Sequence, residues 1–404
     1  MKELLVIGGG AAGFFCAVNA ARMHPGLRVT VLEKTGKLLS KVKVSGGGRC
    51  NVTHACFDIA EMSRNYPRGT HFVKKAFHHF FTTDTIAWFD QRGVKLKTEK
   101  DGRMFPVTDS SQTIIDCLLR EAAKYDVEIC MNAAVAKLEQ HEGKFRATLS
   151  DGRLMKADYV CVAAGGYPRS DMFDWLRALG HTIEEPVPSL FTFNMPGHPI
   201  RELMGVSVEN AFVKVAGTKL VQEGPLLITH WGLSGPAVLK LSAKGARELA
   251  AVNYHFNIIV NWLPGLTEQA VQQQLQTTRF DKAAQFTGSR NPFGLPQRLW
   301  EFLLAQSEIT RELRWADLPA RLSNRLAKNL CNMEAAVKGK TTFKEEFVTA
   351  GGIRLNEIDP ATMMSRKIPG LFFAGEIMDV DAVTGGFNFQ HAWTSGFIAA
   401  SAMS

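Results

Sequence analysis

The stretch "ELLVIGGGAAGFFCAVNAARM" (Glu3–Met23) decides the fold of this chain. It opens with the apolar run "LLVI", which has the length and composition of a buried strand. Three glycines follow, and the residues after them have the apolar spacing of a helix. A second apolar segment, "RVTVLEK" (Arg28–Lys34), predicts another strand. The order strand, helix, strand over so short a segment indicates a parallel α/β unit.

The glycines between the first strand and the helix have a specific spacing. Gly8, Gly10 and Gly13 form G-x-G-x-x-G, and Glu33 follows Gly13 by 20 residues at the end of the second strand. Glycine permits a tight turn and the close approach of a pyrophosphate, the helix N-terminus attracts its charge, and the carboxylate accepts from a ribose hydroxyl. The pattern therefore predicts a bound dinucleotide, contacted by Gly8, Gly10, Ala11, Ala12, Gly13, Glu33 and Lys34.

Length and composition restrict the class of protein. With 404 residues, 46% hydrophobic and 21% charged, the chain is expected to form two or three folding units. The apolar start is too short for a secretory signal, and no stretch reaches the ~20 apolar residues of a membrane span. The seven cysteines form no C-x-x-C pair and no zinc spacing. We therefore expect reduced thiols, no metal site and a cytoplasmic location.

Positive charge is concentrated in two regions. The net charge is +8, and residues 186–345 hold 18 Lys and Arg against 12 Asp and Glu, a surplus of +6. Residues 64–103 hold nine basic and four acidic residues, a surplus of +5. Such regions are typical of proteins with an anionic partner, such as RNA. Surplus lysine on a solvated surface is the alternative.

The remaining chain predicts an interrupted nucleotide-binding domain. A helix over 114–124 precedes short alternating segments, from "VEICM" to "RLMKADYVCVAAGG", which indicate a hairpin meander returning to a buried strand over 159–163. Prolines 186, 188, 196 and 199 indicate a boundary. The predicted parts are a first nucleotide-binding part (1–189), an inserted β subdomain (190–262), an inserted helical subdomain (263–343) and a second nucleotide-binding part (344–404).

The late segment "GLFFAGEIMDVDAVTGGFNFQ" distinguishes between dinucleotides. A strand that ends in glycine and an acid, far along the chain, is what FAD needs, because its ribityl chain must be held away from the adenine end. The meander before "VCVAAGG" also favours FAD. If the dinucleotide is FAD, Val135, Ala164 and Gly165 are further candidates for binding it.

Five motifs resemble a known family. In order they are "SGGGRCNVT", "THWGLSGPAVL", "VTAGGI", "GLFFAGEIMDV" and "TGGFNFQHAWTSG". Together they resemble the bacterial aminoacetone-oxidase-like NAD(P)/FAD-dependent flavoproteins, a family that includes ribosomal RNA dihydrouridine synthases. The resemblance covers essentially the whole chain. It implies an α/β fold with a glutathione-reductase-type FAD-binding Rossmann domain built from both chain ends, and an inserted β and helical part. Because no second G-x-G-x-x-G is present for a separate nicotinamide domain, we expect NAD(P)H to donate its electrons at the flavin face.

The resemblance also implies further cofactor contacts. The segment after Glu33 would surround the pyrophosphate and the ring edge, and the late segment would hold the ribityl chain and the isoalloxazine. The residues implied are Ser45, Gly46, Gly47, Gly48, Arg49, Asn51, Gly375, Glu376, Asp379, Gly385, Gly386, Asn388 and Gln390. Two positions depart from the family pattern: Ala382 replaces a common glycine, and Phe387 replaces a tyrosine.

Three residues are candidates for acid–base chemistry. Cys50 is either a proton donor beside the flavin or a small residue packed in its loop. A disulfide-reductase role with Cys56 is rejected, because five residues separate the two cysteines instead of four and no second G-x-G-x-x-G is present. His391 and His230 are the other candidates, each with a purely structural alternative.

Three functions are compatible with these features. The first is reduction of uridine in ribosomal RNA, supported by the basic insert and by "RNYPRGTHFVKKAFHH", which mixes basic and aromatic residues. The second is oxidation or reduction of a small molecule, with incidental charge. The third is an FAD-containing RNA-binding protein without redox turnover. We expect an FAD-dependent oxidoreductase, and favour the RNA substrate.

Overall fold

A computed structural model describes residues 1–341 and 348–403. These residues divide into two compact units, one formed by residues 1–189 with 348–403, the other by residues 190–341. The predicted boundary between residues 343 and 344 lies outside the described residues. None of the helices in the described ranges combines the length and apolarity needed to cross a membrane.

The first unit begins with the predicted strand and helix. Its elements up to residue 189 are β1 (Lys2–Ile7), α1 (Ala11–Met23), β2 (Leu27–Leu32), α2 (Ser40–Gly48), β3 (Thr53–His54), α3 (Ile59–Ser63), α4 (Thr70–Ala76), α5 (Thr82–Asp90), β4 (Leu96–Thr98), β5 (Arg103–Pro106), α6 (Ser111–Lys124), β6 (Glu128–Cys130), β7 (Val135–His141), β8 (Lys144–Leu149), β9 (Leu154–Ala157), β10 (Tyr159–Val162), α7 (Asp174–Ala178) and β11 (Ile183–Ser189).

The second unit alternates strands and helices. Its elements are β12 (Thr192–Asn194), β13 (Ser207–Val215), β14 (Val221–Ile228), β15 (Gly232–Ser234), α8 (Pro236–Lys244), α9 (Ala246–Ala251), β16 (His255–Asn261), α10 (Glu268–Asp281), α11 (Gln297–Gln306), α12 (Ala320–Cys331), β17 (Met333–Lys338) and β18 (Lys340–Thr341). The chain then returns to the first unit with β19 (Val348–Ile353), β20 (Leu371–Phe373) and α13 (Phe387–Ser401).

A five-stranded parallel sheet forms the centre of the first unit. Its order is β20-β10-β1-β2-β6, so β20 from the late segment completes a sheet begun by the early one. Val6 of β1 pairs with Val31 of β2 and with Cys161 of β10, and all three side chains are fully buried. Such buried strands read as continuous apolar runs. The predicted α/β class, with a Rossmann-type parallel sheet, is confirmed.

The meander forms, but it is shorter than predicted. Strands β7, β8 and β9 make an antiparallel three-stranded sheet. The segment "VEICM" does not belong to it, because β6 pairs in parallel with β2 at the edge of the central sheet. Short strands of the two kinds have the same local pattern, and only the pairing distinguishes them.

The insert has one antiparallel sheet of seven strands, in the order β17-β16-β13-β14-β15-β12-β18. Residues 333–338 form β17 and alternate between buried and exposed, although the sequence placed them in a mostly helical stretch. Sheet residues such as Val213 and Val260 share one hydrophobic core with helix residues such as Leu299 and Leu326. The β and helical parts therefore form one compact unit, since neither buries its apolar face alone.

Candidate functional site

The first glycine turn, residues 8–13, joins β1 to α1. A Cβ atom added to Gly8 would overlap the Ala163 carbonyl oxygen, and one added to Gly13 would overlap the Gly8 carbonyl oxygen. A Cβ atom added to Gly10 would meet no atom within 4 Å. Gly10 is also the N-cap of α1, which has no side-chain cap. Gly8 and Gly13 therefore allow the turn to pack closely against backbone carbonyl groups. Gly10 leaves the first amides of α1 accessible to an anion.

Glu33 closes this turn from the end of β2. One of its oxygens accepts from the Gly9 amide at 2.9 Å. The other accepts from the Thr35 amide and hydroxyl, both at 2.8 Å. The carboxylate is thus held beside the turn, with lone pairs left over that could accept from a ribose hydroxyl.

The second glycine turn, residues 45–50, starts inside helix α2. Helix α2 loses helical geometry at Ser45, and Gly46, Gly47 and Gly48 all adopt positive φ, from 58° to 85°. The Cys50 amide donates to the Ser45 carbonyl oxygen at 3.0 Å, which closes the turn. Cβ atoms added to Gly47 and Gly48 would meet nothing within 4 Å. This backbone is accessible to close approach by a ligand.

The environment of Cys50 favours the packing alternative. The side chain is fully buried, and the backbone has a φ of 62°. Burial raises the pKa of the Cys50 thiol to about 12, although a hydrogen bond from Ser45 opposes this. The thiol therefore stays protonated at neutral pH. It is enclosed by protein, whereas a general acid must reach the group that it protonates.

The third glycine turn, Gly385–Gly386, begins α13 and is held by residues from the other end of the chain. The Nδ1 atom of His54 lies 2.9 Å from the Gly385 carbonyl oxygen, and the His54 ring stacks on Phe387 at 4.6 Å. With its amide oriented to satisfy both neighbours, Asn51 accepts from the Gly386 amide at 2.9 Å and donates to the Thr53 carbonyl oxygen at 3.0 Å. Residues that follow the second glycine turn therefore contact the third one, and a cofactor path along both turns stays a prediction.

Two residues predicted to bind the cofactor have protein partners in the structure. Arg49 pairs with Glu99 at 2.6 Å and lies over the Phe105 ring, so its charge is already compensated. The Asn388 amide bonds to both backbone groups of Ala382, at 2.9 and 3.0 Å. These polar atoms therefore have protein partners, and their predicted contacts with phosphate and ring stay predictions.

Glu376 is likewise bonded within the first unit. Its carboxylate accepts from the Thr349 amide at 2.8 Å and pairs with Lys41 at 2.6 Å. Asp379 lies just beyond and donates its amide to the Ile353 carbonyl oxygen at 3.0 Å. The Glu376 carboxylate therefore links the segment after β20 to β19 and α2.

His391 lies on the buried side of α13. It is 2% exposed, and neither ring nitrogen makes a hydrogen bond of normal geometry within the described residues. Desolvation lowers the pKa of His391 to about 4, against a smaller opposing effect of the Gly375 backbone. A neutral, enclosed imidazole at neutral pH is a poor general acid, so the structure favours the structural alternative for this residue.

The remaining predicted residues lie near strand ends or in the insert. Ala164 and Gly165 follow β10 beside the first glycine turn, and Gly165 has a φ of 74°. Val135 opens β7, and the Nζ atom of Lys34 lies 5.7 Å from the Tyr167 ring. Gln390 is buried and accepts from the Thr53 and Thr85 hydroxyls at 2.6 and 3.0 Å. His230 is an exposed residue of the insert.

Two buried interactions around the third glycine turn have no sequence signal. Asp381 is fully buried and pairs with Arg68, and the Ser189 hydroxyl donates to it at 2.8 Å. The Tyr66 hydroxyl donates to the Phe387 carbonyl oxygen at 2.6 Å. Burial raises the pKa of Tyr66 well above its usual value, so it stays protonated. Both residues belong to the stretch "RNYPRGTHFVKKAFHH" that favoured an RNA substrate, but Tyr66 is buried and Arg68 pairs with a buried acid.

The donor set fits FAD. The backbone at Gly10, Gly47 and Gly48 is open, and α1 and α13 both begin at a glycine with no side-chain cap. Two uncapped helix N-termini suit the pyrophosphate at one end and the electron-rich edge of a reduced flavin at the other.

Comparisons with known proteins identify the family of this chain. The profile of the HI0933-like protein Rossmann domain matches residues 2–402. A 3-dehydro-bile acid delta(4,6)-reductase of Clostridium scindens is 28% identical over 414 residues, 100% of this chain and 99% of the relative. The ribosomal RNA dihydrouridine synthase of Escherichia coli is 30% identical over 413 residues, 98% of this chain and 97% of the relative.

A solved structure shares the fold. The 3-ketosteroid delta1-dehydrogenase from Sterolibacterium denitrificans aligns over 99% of both chains with a TM-score of 0.52 and 13% identity. Together, fold, glycine turns and relatives define the class of this protein, an FAD-dependent oxidoreductase. The chain belongs to the HI0933-like family, which confirms the resemblance seen in its motifs.

Proposed function

We propose that this enzyme reduces uridine to dihydrouridine in ribosomal RNA, with FAD as cofactor and NAD(P)H as electron donor. The observation that carries this is the 30% identity to the Escherichia coli ribosomal RNA dihydrouridine synthase, which extends over nearly the whole of both chains. The Haemophilus influenzae protein of the same name is 28% identical over 421 residues. The surplus of +6 charges in residues 186–345 suits a polyanionic substrate.

The reaction adds a hydride and a proton across a carbon–carbon double bond that is conjugated with a carbonyl group. Bound FAD supplies the hydride chemistry, and NAD(P)H supplies the two electrons. The activity in the name of the Clostridium scindens relative is of the same type, because a 3-oxo group conjugates with delta(4,6) double bonds. The two named activities therefore share one type of reaction, the reduction of an electron-poor double bond. They differ in the molecule that carries this double bond.

The chain's own groups bind and orient the cofactor in this proposal. The open amides of Ala11 and Ala12 at the start of α1 bind the pyrophosphate, and Glu33 accepts from a ribose hydroxyl. The second glycine turn follows the cofactor toward the ring. The N-terminus of α13, fixed by Asn51 and His54, stabilises negative charge at the ring edge. Cys50 and His391 have packing roles and do not act as proton donors.

Anaerobic reoxidation tests the proposal. The holoenzyme is reduced with NAD(P)H without oxygen, and ribosomal RNA lacking dihydrouridine is added while the flavin band near ~450 nm is followed. We expect the band to return in step with new dihydrouridine, detected by nucleoside mass spectrometry. RNA that already contains dihydrouridine at the target position is the matched control, and it should leave the flavin reduced. No reoxidation by unmodified RNA would contradict the proposal.

A small-molecule substrate is the second candidate. It is favoured by the Clostridium scindens relative, which this chain matches over its full length. A 3-oxo steroid with delta(4,6) double bonds, added to the same reduced enzyme, separates the two candidates. Reoxidation by the steroid and not by RNA would assign small-molecule reduction. Salt-dependent RNA binding without any reoxidation would instead indicate an FAD-containing RNA-binding protein.

A further inference from the structure

The insert presents two aromatic side chains on a tight turn, residues 229–232, here called the aromatic turn. Trp231 is 41% exposed, and His230 is exposed beside it. The two ring centroids are 4.6 Å apart, and the ring planes are inclined by 44°. Single exposed apolar residues are common, but a large exposed aromatic pair is typical of a binding surface.

The backbone of the aromatic turn is rigid. The Thr229 amide donates to the Gly232 carbonyl oxygen at 2.8 Å, and the Gly232 amide donates back to the Thr229 carbonyl oxygen at 3.2 Å. Gly232 has a φ of 151°, and a Cβ atom there would overlap the Phe193 carbonyl oxygen. Strand β15 then pairs with both β12 and β14. The rings are therefore presented on a preorganised support, which lowers the ordering cost of binding.

Two arginines lie along the adjoining 3-10 turn, Pro199–Leu203. The Nε atom of Arg201 donates to the His230 carbonyl oxygen at 2.6 Å. Arg298 of α11 donates to the Glu202 carbonyl oxygen at 2.6 Å. Both partners are backbone carbonyls, and within the described residues neither arginine forms an ion pair with a carboxylate. The positive charge beside the aromatic turn is therefore fixed in place without being neutralised.

We propose that the aromatic turn is a stacking surface for an unpaired base of the RNA substrate, with the neighbouring phosphates contacting Arg201 and Arg298. This role rests on the proposed function and assigns it a substrate-binding surface. Unpaired RNA is recognised by stacking its bases on aromatic rings while arginines contact the backbone. A ring that stacks on any base, next to uncompensated charge, meets both requirements.

Affinity measurements with matched variants test this role. The holoenzyme and its Trp231→Ala variant are titrated with a fluorescent transcript of unmodified ribosomal RNA. We expect Trp231→Ala to raise the Kd roughly 5- to 150-fold, the usual range for one lost stacking contact, whereas Trp231→Phe keeps most of the affinity. Phe280→Ala is the control, because Phe280 is 73% exposed in the same unit. The flavin absorbance and the circular dichroism of each variant verify that both units are folded.

The arginines are tested through the salt dependence of binding. Arg201→Gln/Arg298→Gln should reduce the slope of log affinity against log salt by about 1.4, corresponding to two lost phosphate contacts on a single strand. Arg311→Gln/Arg321→Gln removes the same charge from exposed arginines that pair with Glu301 and Glu308, and should leave the slope nearly unchanged.

Two results would overturn this role, and they differ in what else they affect. If Trp231→Ala binds RNA as Phe280→Ala does while the parent enzyme makes dihydrouridine, the aromatic turn is not the stacking surface and the proposed function stands. If the parent enzyme neither binds RNA in a salt-dependent manner nor is reoxidised by it, the proposed function and this role both fail.

Discussion

The first and third glycine turns begin helices in different ways. In the first turn, only glycine fits at positions 8 and 13, because a side chain there would overlap the carbonyl oxygens of Ala163 and Gly8. In the third turn, Gly385 and Gly386 are held by side chains of Asn51 and His54, which lie more than 300 residues earlier in the chain. The first turn is therefore specified locally, and the third depends on the completed fold.

The largest effect is expected at Gly13. Gly13→Ala places a methyl group onto the Gly8 carbonyl oxygen, so we expect a loss of about 3 kcal/mol or more of unfolding free energy, together with loss of FAD. Urea unfolding and the flavin absorbance measure both. Gly10→Ala is the matched control: its methyl group meets open space, so the fold should persist while FAD affinity falls. Equal destabilisation by both changes would refute the local account of this turn.

A pH dependence is expected at the buried face of α13. The pKa of His391 is about 4 in the folded protein and near 6.5 when unfolded, so only the unfolded state binds a proton between these values. The contribution of His391 to the free energy of unfolding is therefore fully present above pH 6.5. About 3 kcal/mol of this free energy is lost as the pH falls to 4. Urea midpoints at several pH values measure this loss. His391→Gln should flatten the profile; an unchanged profile would mean that other groups cause the loss.

A moderate effect is expected at Asn51, which joins the second and third glycine turns. Asn51→Ala removes the partners of the Gly386 amide and the Thr53 carbonyl, and should cost about 1–3 kcal/mol. Hydrogen exchange should speed up first at the start of α13. Asn210→Ala removes a hydrogen bond to Glu223 at the surface and should have little effect. If exchange at α13 does not change, the third turn does not depend on Asn51.

The smallest effect is expected at Cys50. Cys50→Ala should cost about 1 kcal/mol or less and leave the rate of flavin reoxidation within a few-fold of the parent, because we propose that the thiol only packs. Iodoacetamide should leave Cys50 unmodified in the folded protein at pH 8, because its pKa is about 12. A large drop in the reoxidation rate with normal FAD content would restore the acid role.

The sequence predicted what depends on local pattern. The apolar runs of β1 and β2, the glycines between them and the position of Glu33 are sufficient for the parallel sheet and the first turn. The late apolar runs also predicted that β20 and α13 return to the first unit. These signals are strong because a buried strand requires apolar residues and a tight turn requires glycine at fixed positions.

Pairing partners were not predictable in the same way. The segment that forms β6 has the alternation of a meander strand and pairs with β2. Arg49 was a reasonable phosphate ligand by type, but Glu99 and Asp109 lie beside it in space. Tyr66 and Arg68 were counted in the basic and aromatic stretch that favoured RNA, because a buried contact with Phe387 or Asp381 imposes no spacing on distant residues. In each case the missing information is tertiary.

The completion of the central sheet by β20 has a consequence for biosynthesis. On the ribosome, β10 is made before the insert, and β20 only after it, so one edge of β10 stays unpaired while the intervening residues emerge. An unpaired apolar edge invites wrong association. The insert can fold meanwhile, because its strands pair among themselves. Cofactor loading should therefore be among the last events in the maturation of this enzyme, and the nascent chain should depend on chaperones until then.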